Sequence, residues 1–334
     1  MVLVTGGAGY IGSHTCVELL NNGIEIVVMD NFSNSKPIAL ERVKKITGKD
    51  FAIYDADCRN SDELDDICTR HNIDCIMHFA GLKAVAGSVS EPINYYENNI
   101  NSTITLLRIM ENYNIKKFIF SSSATVYSAD NTMPLKEDSK IGNCTNPYGW
   151  TKFMIEQILI DTQKANPDWS VVLLRYANPI GAHESGLIGE DPTGVPANIF
   201  PYVAQVAIGK YNELPVTGDD YDTPDGTGVR DYLHVVDLAD GHIAALKNMI
   251  PGLNIYNLGT GKGVSVLEII HEFEKVTGQK VDYKIAPRRP GDLATTYLDP
   301  TRAKQILNWE TKKTLADCCR DTWNWQKNNP GGFL

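Results

Sequence analysis

The sequence predicts an α/β protein with a Rossmann-type, doubly wound parallel sheet and a smaller mixed α/β part after it. Short apolar runs alternate with helical stretches through the first half of the 334 residues, the order that produces parallel strands with helices on both faces. A glycine-rich turn joins the first run to the first helical stretch. After residue 175 the chain becomes rich in Gly, Pro, Asp and Asn, which is typical of loops. We predict two interleaved domains, residues 1–175 and 176–334, without a flexible linker.

The first half supplies most of the predicted sheet. Its β-rich runs predict strands at residues 2–4, 25–29, 75–79, 118–120 and 171–174. The stretches between them predict helices at residues 11–21, about 95–112 and about 148–165. Asn146 and Pro147 supply an N-cap and a first-turn proline for the third helix. Connections in such sheets are right-handed, and ligands bind at the carboxyl ends of the strands.

The second half shows fewer regular elements. Residues 197–209 predict one clear helix within a loop-rich stretch. A second helix is predicted at residues 265–278, because Ser265 and Glu268 form a capping box and Gly278 ends the pattern. We expect the loops of this half to surround a ligand.

Charge, cysteine content and hydropathy narrow the class of function. The net charge of -10 argues against a nucleic-acid partner, because phosphate binding requires a basic surface. The seven cysteines have no zinc-ligand spacing, so we predict reduced thiols and no metal site. No signal peptide is visible, and no apolar run approaches the roughly 20 residues that span a bilayer. We therefore expect a cytoplasmic protein that does not contact membranes.

The glycine-rich turn has the pattern of a dinucleotide site. Gly6 allows the tight turn, Gly9 lets the backbone approach a pyrophosphate, and Gly12 lets the helix pack closely on the strand. Free N–H groups and the helix dipole would then meet the phosphates. Asp30 ends the second strand, eighteen positions past Gly12. Its carboxylate would accept hydrogen bonds from the adenosine ribose and repel a 2′-phosphate, which favours NAD over NADP.

Three polar residues predict a redox site beside this cofactor. Tyr148 and Lys152 are four residues apart, so they share one face of the predicted helix. A tyrosine has an ordinary pKa near 10, and we expect the lysine ammonium and an oxidised nicotinamide to lower it, so that the phenolate acts as a base. Ser123 follows the fourth predicted strand on the ligand side of the sheet, where it can hold the same substrate oxygen.

The chain resembles the extended short-chain dehydrogenase/reductases nearly end to end, and within them the enzymes that invert C4 of UDP-hexoses. The stretches that carry the resemblance are residues 5–14, 78–85, 120–127, 181–183, 226–232 and 288–293. The glycine motif and Tyr-x-x-x-Lys mark the superfamily, whereas Phe-Ala-Gly-Leu-Lys at 79–83 and Gly-Thr-Gly-Val-Arg-Asp-Tyr at 226–232 are far more specific. The resemblance implies NAD-dependent 4-epimerisation of UDP-glucose and UDP-galactose through a transient 4-keto sugar, without net redox. It also implies a homodimer formed by the helices near 95–112 and 148–165.

The resemblance assigns residues to both ligands. For NAD it implies, besides the glycine turn, Tyr10, Ile11, Asp30, Asn31, Asn34, Ser35, Asp57, Cys58, Phe79, Ala80, Gly81, Lys83, Asn98, Tyr148, Lys152 and Tyr176. For the UDP-hexose it implies Lys83, Ser123, Tyr148, Asn178, Asn198, Ile199, Val216, Thr217, Arg230, Tyr232, Arg289, Asp292 and Thr296. The chemistry agrees, because two arginines supply what a diphosphate needs in an acidic protein.

Departures from the family pattern leave alternatives open. Ala177 stands where relatives often have phenylalanine, Ser128 replaces a usual glycine, and Thr296 lies where some relatives carry a tyrosine. A wider sugar pocket would also admit UDP-N-acetylglucosamine and UDP-N-acetylgalactosamine. A nucleotide-sugar 4,6-dehydratase is a rival, but it needs an Asp-Glu pair where this chain has Ala124 and Thr125. A non-catalytic NAD-binding regulator is a second rival, although such relatives have lost the tyrosine.

Overall fold

The computed structural model describes residues 1–289 and 291–334. Within them, fourteen strands are present. In chain order they are β1 (Val2–Thr5), β2 (Ile26–Asp30), β3 (Ala52–Asp55), β4 (Cys75–His78), β5 (Lys117–Ser121), β6 (Ser170–Tyr176), β7 (Asn178–Ile180), β8 (Leu214–Thr217), β9 (Val229–Arg230), β10 (Tyr232–His234), β11 (Gly252–Leu258), β12 (Val264–Ser265), β13 (Tyr283–Ala286) and β14 (Thr295–Thr296).

Eleven α-helices connect these strands in the same part of the chain. They are α1 (Tyr10–Asn21), α2 (Ile38–Thr47), α3 (Ser61–Arg70), α4 (Val85–Ser90), α5 (Pro92–Asn112), α6 (Pro147–Ala165), α7 (Ile199–Ala207), α8 (Val235–Lys247), α9 (Val266–Thr277), α10 (Thr301–Leu307) and α11 (Leu315–Asn328). A 3₁₀ turn covers Ala124–Val126. None of the described helices combines the length and apolar character that a bilayer-spanning segment needs.

Seven strands form one parallel sheet in the order β11-β6-β5-β4-β1-β2-β3. Successive side chains of a strand point to opposite faces, and both faces are covered. Val4 and Val28 pack with α1, α2 and α8 in one apolar cluster. Leu3 and Val27 pack with α3, α5 and α6 in the other. Every residue of β1, β2 and β4 is buried, as expected for an all-parallel sheet between two helical layers.

The rest of the chain builds a smaller unit beside the carboxyl ends of this sheet. It contains the pair β10-β7, the pair β13-β8 and the three-stranded sheet β12-β9-β14. A third apolar cluster, which includes Phe200, Ile269 and Cys319, packs α7, α9 and α11 together. β11 leaves this unit and pairs with β6 at the edge of the large sheet. A boundary at residue 175 remains our prediction.

The predicted fold class, a doubly wound parallel sheet, is confirmed. The predicted strands and helices are present with ends shifted by a few residues. The capping box of Ser265 and Glu268 also forms, and Gly278 adopts the left-handed conformation that ends α9. The sequence pattern did not reveal β3 or β11. In β11, polar Asn254 and Asn257 interrupt the apolar pattern, and pairing with β6 fixes the extended conformation instead.

Candidate active site

The predicted site residues converge on one edge of the large sheet. Gly6 follows β1, Asp30 ends β2, Phe79 follows β4, Ser123 follows β5 and Tyr176 ends β6. All five strands are parallel neighbours, so their carboxyl ends open toward the same side. This edge is where open α/β sheets bind ligands.

The glycine turn leaves a cradle that side chains would fill. Gly6 has a φ of +72°, and a Cβ there would lie 2.6 Å from the Ala80 nitrogen. A Cβ on Gly12 would lie 2.2 Å from the Gly6 oxygen. Gly9 is the N-cap of α1 and has no capping side chain, so the first N–H groups of the helix stay free for an anion. These features fit the pyrophosphate of a dinucleotide.

Asp30 is held rigidly beside this turn. Its Oδ2 accepts a hydrogen bond from the Ala8 nitrogen at 2.9 Å. Its Oδ1 accepts from the Phe32 nitrogen at 2.9 Å and from the Ser35 hydroxyl at 2.8 Å. A carboxylate has about four acceptor positions, so capacity remains for a ribose hydroxyl. The arrangement fits NAD and disfavours a second phosphate at this point.

Other predicted cofactor residues border the same turn. The Asn31 amide donates to Asp57 at 3.1 Å, and hydrogen bonds from Arg59 hold the pKa of Asp57 down at about 2. The Asn98 amide donates to Asn99 at 3.0 Å, beside the backbone of Gly81. Ala80 packs close to the Gly6 backbone, while Asn34 is exposed near the end of β2.

The predicted cofactor residue Cys58 has a buried side chain. Its Sγ lies 3.9 Å from the sulfur of Met29, within the apolar cluster under the sheet. Burial raises the pKa of the Cys58 thiol to about 12. A thiol in such surroundings is neutral, and a role for Cys58 beside the cofactor remains our prediction.

The three predicted catalytic residues lie together at the start of α6. Ser123 caps the 3₁₀ turn, and its oxygen accepts hydrogen bonds from the Thr125 nitrogen at 3.2 Å and hydroxyl at 3.0 Å. The Asn146 side chain accepts from the Gly149 nitrogen and starts α6 as predicted. Tyr148 therefore stands in the first turn, next to Ser123.

Lys152 is buried one helical turn later. Its ammonium donates a hydrogen bond to the Ser121 carbonyl oxygen at 2.7 Å and lies 4.6 Å from the centre of the Phe120 ring. The distance from Nζ to the centre of the Tyr148 ring is 5.9 Å. Burial lowers the pKa of Lys152 to about 8, and the charge of Glu156 partly opposes this shift.

The sequence predicts a lowered pKa for Tyr148, but the protein's own groups raise it. Burial raises the pKa of Tyr148 to about 12, and the hydroxyl of Ser123 offsets only part of the shift. Lys152 directs its hydrogen bond to a main-chain oxygen instead of the phenol. The loss of solvation therefore outweighs the hydrogen bond with Ser123.

Aromatic side chains lie next to this trio, at the predicted nicotinamide position. The rings of Phe79 and His242 lie 4.8 Å apart, and Tyr176 lies 6.3 Å from His242. His242 Nδ1 donates to the Leu238 carbonyl oxygen, so Nε2 accepts from the Ser121 hydroxyl at 3.0 Å. His242 went unpredicted because helical spacing on α8 makes it resemble an ordinary core residue.

The smaller unit contributes charged side chains on and near β9 and β14. Arg230 forms an ion pair with Asp292 and donates to the Val229 carbonyl oxygen at 2.7 Å. Thr296 pairs in register with Arg230 across β9 and β14, so the two side chains lie on the same face. Arg289 is exposed nearby. The binding of an anion by the two arginines remains our prediction.

Glu190 and Tyr10 form hydrogen bonds between the large-sheet unit and the smaller unit. Glu190 Oε1 accepts a hydrogen bond from Lys83 at 3.2 Å and from the Asn198 amide at 2.7 Å. The Tyr10 hydroxyl donates to the Gly181 carbonyl oxygen at 2.6 Å, again across the units. Sequence reasoning missed Glu190, because a single glutamate in a loop gives no local signal.

The remaining predicted substrate residues differ in how far their side chains are exposed. Asn178 is exposed at the start of β7, Ile199 is half-buried at the start of α7 and Thr217 is half-buried at the end of β8. Tyr232 lies in β10, where burial raises its pKa to about 12. The side chain of Val216 is fully buried in the third apolar cluster, and its role toward the substrate remains our prediction.

Comparisons with known proteins agree with this geometry. The sequence profile of the NAD dependent epimerase/dehydratase family matches residues 2–259. The chain is 57% identical to the UDP-glucose 4-epimerase of Bacillus subtilis (strain 168), covering 99% of this chain and 98% of the relative. It is 50% identical to the bifunctional UDP-glucose 4-epimerase and UDP-xylose 4-epimerase 1 of Pisum sativum, over 99% and 97%. The crystal structure of UDP-glucose 4-epimerase from Bifidobacterium longum in complex with NAD+ and UDP superposes with a TM-score of 0.96, at 54% identity over 99% of each chain.

Proposed function

The chain belongs to the NAD dependent epimerase/dehydratase family, and from that premise we propose that it interconverts UDP-glucose and UDP-galactose at C4. The observation that carries this proposal is the position of Ser123, Tyr148 and Lys152 at the same sheet edge as the glycine cradle. Relatives with 50–57% identity over the full chain have this activity in their names. The reaction is an isomerisation through a 4-keto sugar and has no net redox change.

The residues present fit NAD. The N–H groups at the start of α1 would bind the pyrophosphate, and Asp30 would bind the adenosine ribose. Lys152 would hold the nicotinamide ribose, with Phe79 and Tyr176 near the ring. When bound, NAD would supply the hydride acceptor and donor for C4, together with a positive charge beside the phenol.

Tyr148 moves the proton at the sugar. With the positive charge that NAD would add beside it, Tyr148 would ionise, and its oxygen would take the proton of the 4-hydroxyl and later return that proton to the 4-keto oxygen. Its pKa of about 12 from burial means that the protein alone keeps the phenol neutral at pH 7. Lys152 supplies the protein's own positive charge on that side, and Ser123 holds the sugar oxygen between the two steps.

The UDP group stays anchored while the ketone turns over. Arg230 and Arg289 would supply positive charge for the diphosphate, and the exposed side chains of Asn178 and Asn198 would add polar contacts to the UDP. Because Arg230 is paired with Asp292, its guanidinium is held in place before a ligand arrives. A fixed diphosphate and a free hexose allow both faces of C4 to reach the hydride.

A turnover assay tests the function directly. The purified protein, without added cofactor, is expected to convert UDP-galactose into UDP-glucose, because an enzyme that returns its hydride need not release NAD in each cycle. Bound NAD would be measured after denaturation. A 4-keto-6-deoxy product would indicate a dehydratase, and absence of turnover would indicate a regulator. Activity with NADP but none with NAD would show that the role given to Asp30 is wrong.

We also propose that the sugar pocket accepts 2-N-acetylated hexoses. Thr296 is half-buried beside Arg230, and its small side chain leaves room for an acetamido group to sweep past as the sugar turns. Ala177 is buried in the core, and its small side chain does not narrow the sugar pocket. The structure neighbours include a UDP-Glc/GlcNAc 4-epimerase from Campylobacter jejuni, at 35% identity and a TM-score of 0.85.

Thr296→Tyr is expected to remove epimerisation of UDP-N-acetylglucosamine and to leave that of UDP-glucose nearly unchanged, because the larger ring blocks only the longer sweep. The two rates are measured separately, and Thr296→Val serves as the control because it keeps the size of the side chain. The idea is wrong if the unaltered protein converts UDP-galactose well but leaves UDP-N-acetylgalactosamine untouched.

We propose that the protein is a homodimer that acts in galactose metabolism in the cytoplasm. Its neighbouring helices α5 and α6 carry partly exposed apolar side chains at helical spacing, Tyr96 and Ile100 on the first and Met154 and Ile158 on the second. Such paired stripes support an interface between two copies. All seven cysteines are free thiols, which supports a reducing compartment.

A further inference from the structure

A buried ion pair lies directly under the catalytic residues. The side chains of Glu156 and Arg175 are each 1% exposed. The Arg175 Nη2 donates to Glu156 Oε2 at 2.6 Å, and its Nε donates to Oε1 at 3.0 Å. This two-pronged geometry fixes both the distance and the relative orientation of the two side chains. The mechanism proposed above does not use either residue.

The pair joins the three elements that carry the reacting groups. Glu156 lies on α6, one turn beyond Lys152 and two beyond Tyr148. Its Oε1 accepts a hydrogen bond at 2.6 Å from Ser122, the neighbour of Ser123 after β5. Arg175 lies on β6, directly before Tyr176. One carboxylate is thus bonded to the strand end that carries the serine and to the strand that carries the aromatic residue.

Arg175 extends these contacts to the loop that follows the serine. Its Nη1 donates to the Glu137 carbonyl oxygen at 3.0 Å, and its guanidinium lies 4.8 Å from the centre of the Tyr127 ring. The Tyr127 hydroxyl donates to Asn257 on β11 at 2.6 Å. The 3₁₀ turn that begins at Ser123 is therefore anchored at both ends.

We propose that Glu156 and Arg175 are positioning residues, which hold the Ser123 turn, the Tyr148–Lys152 turn of α6 and the end of β6 at Tyr176 in one catalytic geometry. The inference rests on the proposed epimerisation. Two apolar side chains of similar volume would stabilise the fold about as well as a buried ion pair. What apolar packing cannot supply is the set of directed hydrogen bonds that orients three separate elements.

The charge of Glu156 has a second measurable consequence, which is its effect on the pKa of Lys152. It stands four residues after Lys152 and is the nearby charge that raises the pKa of that ammonium against the effect of burial. The other titratable groups around Lys152 are Tyr148 on α6, His78 on β4, Tyr176 on β6 and His242 on α8, with Arg175 beyond the carboxylate. Removing the negative charge would lower the pKa of Lys152 and leave Arg175 unpaired.

The first test is Glu156→Gln, which keeps the shape and removes the charge. We expect kcat for UDP-galactose to fall about 10²-fold, because a displacement of about 1 Å at a reacting group has an effect of that size. We expect KM and bound NAD to change little. The alkaline limb of kcat against pH should move to lower pH, since Lys152 then loses its proton more readily.

Asp237→Asn is the matched control, because Asp237 is a buried carboxylate that accepts hydrogen bonds from the main-chain nitrogens of Lys312 and Lys313 outside the site. It should leave kcat and the pH profile unchanged.

The second test separates positioning from stability. The double variant Glu156→Met with Arg175→Met removes both charges and keeps the volume, so its melting temperature should approach that of the unaltered protein. Its kcat should remain low, since the directed bonds are gone. This variant replaces Glu156→Gln in all measurements if the single variant does not fold.

Two results would overturn the inference: an unchanged kcat and pH profile in Glu156→Gln, or recovery of kcat together with stability in the double variant. Either would show that the pair only stabilises the fold. Failure of the proposed function is a different result, because the unaltered protein would then leave UDP-galactose unconverted.

Discussion

Tyr148→Phe is expected to lower kcat about 10²–10⁴-fold, the usual effect of removing one general acid–base group. Only the phenolic oxygen is lost, while the ring keeps its place in the first turn of α6 and beside Lys152. The buried phenol has a pKa of about 12, so its removal leaves no unpaired charge behind. The variant should fold and keep its NAD, and kcat is measured with UDP-galactose.

Tyr54→Phe is the matched control for that experiment. The Tyr54 hydroxyl makes a hydrogen bond of 2.8 Å with His71 Nε2, far along the sheet from the trio. Both variants remove one phenolic oxygen and keep the ring, so a general loss of stability would appear in both. Turnover near the level of the unaltered protein in Tyr148→Phe would rule out this residue as the proton carrier.

Gly12→Ala is expected to weaken NAD binding at least about tenfold, the change that corresponds to 1.4 kcal/mol. A Cβ there would lie 2.2 Å from the Gly6 oxygen and 2.8 Å from the Gly7 Cα. Both are main-chain atoms of the turn that would bind the pyrophosphate, so neither can swing aside as a flexible side chain would. The helix must move away from the strand, and overpacking of this kind also destabilises the fold by about 1–3 kcal/mol.

Bound NAD per chain and the melting temperature are the two measurements for this variant. Gly331→Ala is the control, because the added Cβ would meet only the side chain of the exposed Leu334, at 3.0 Å. It should retain NAD and activity. If Gly12→Ala purified with its full content of NAD, the glycine turn would not be the dinucleotide cradle.

The local parts of this protein could be predicted from the sequence, because each depends on neighbouring residues. The glycine turn requires the conformational freedom found at Gly6 and the missing Cβ at Gly12. Asn146 and Pro147 begin α6, and Tyr148 and Lys152 then share a helical face by spacing alone. Alternation of apolar runs and helices was enough for the fold class.

The tertiary structure decided what depends on groups far apart in the chain. β11 joins the sheet beside β6 across some 75 intervening residues. Glu190 bridges Lys83 and Asn198, and no local pattern marks such a contact. The same holds for the buried bond between Glu156 and Arg175.

The tertiary structure also decided the acid–base character of the site. From the sequence, a lysine one turn from the tyrosine and an oxidised nicotinamide beside it together predict a lowered tyrosine pKa. In the fold, burial raises the pKa of Tyr148 to about 12 and lowers that of Lys152 to about 8. Residue spacing determines which charges stand near each other. Solvation depends on everything packed around them, so the sequence by itself identified the reacting groups and the three-dimensional packing set their proton affinities.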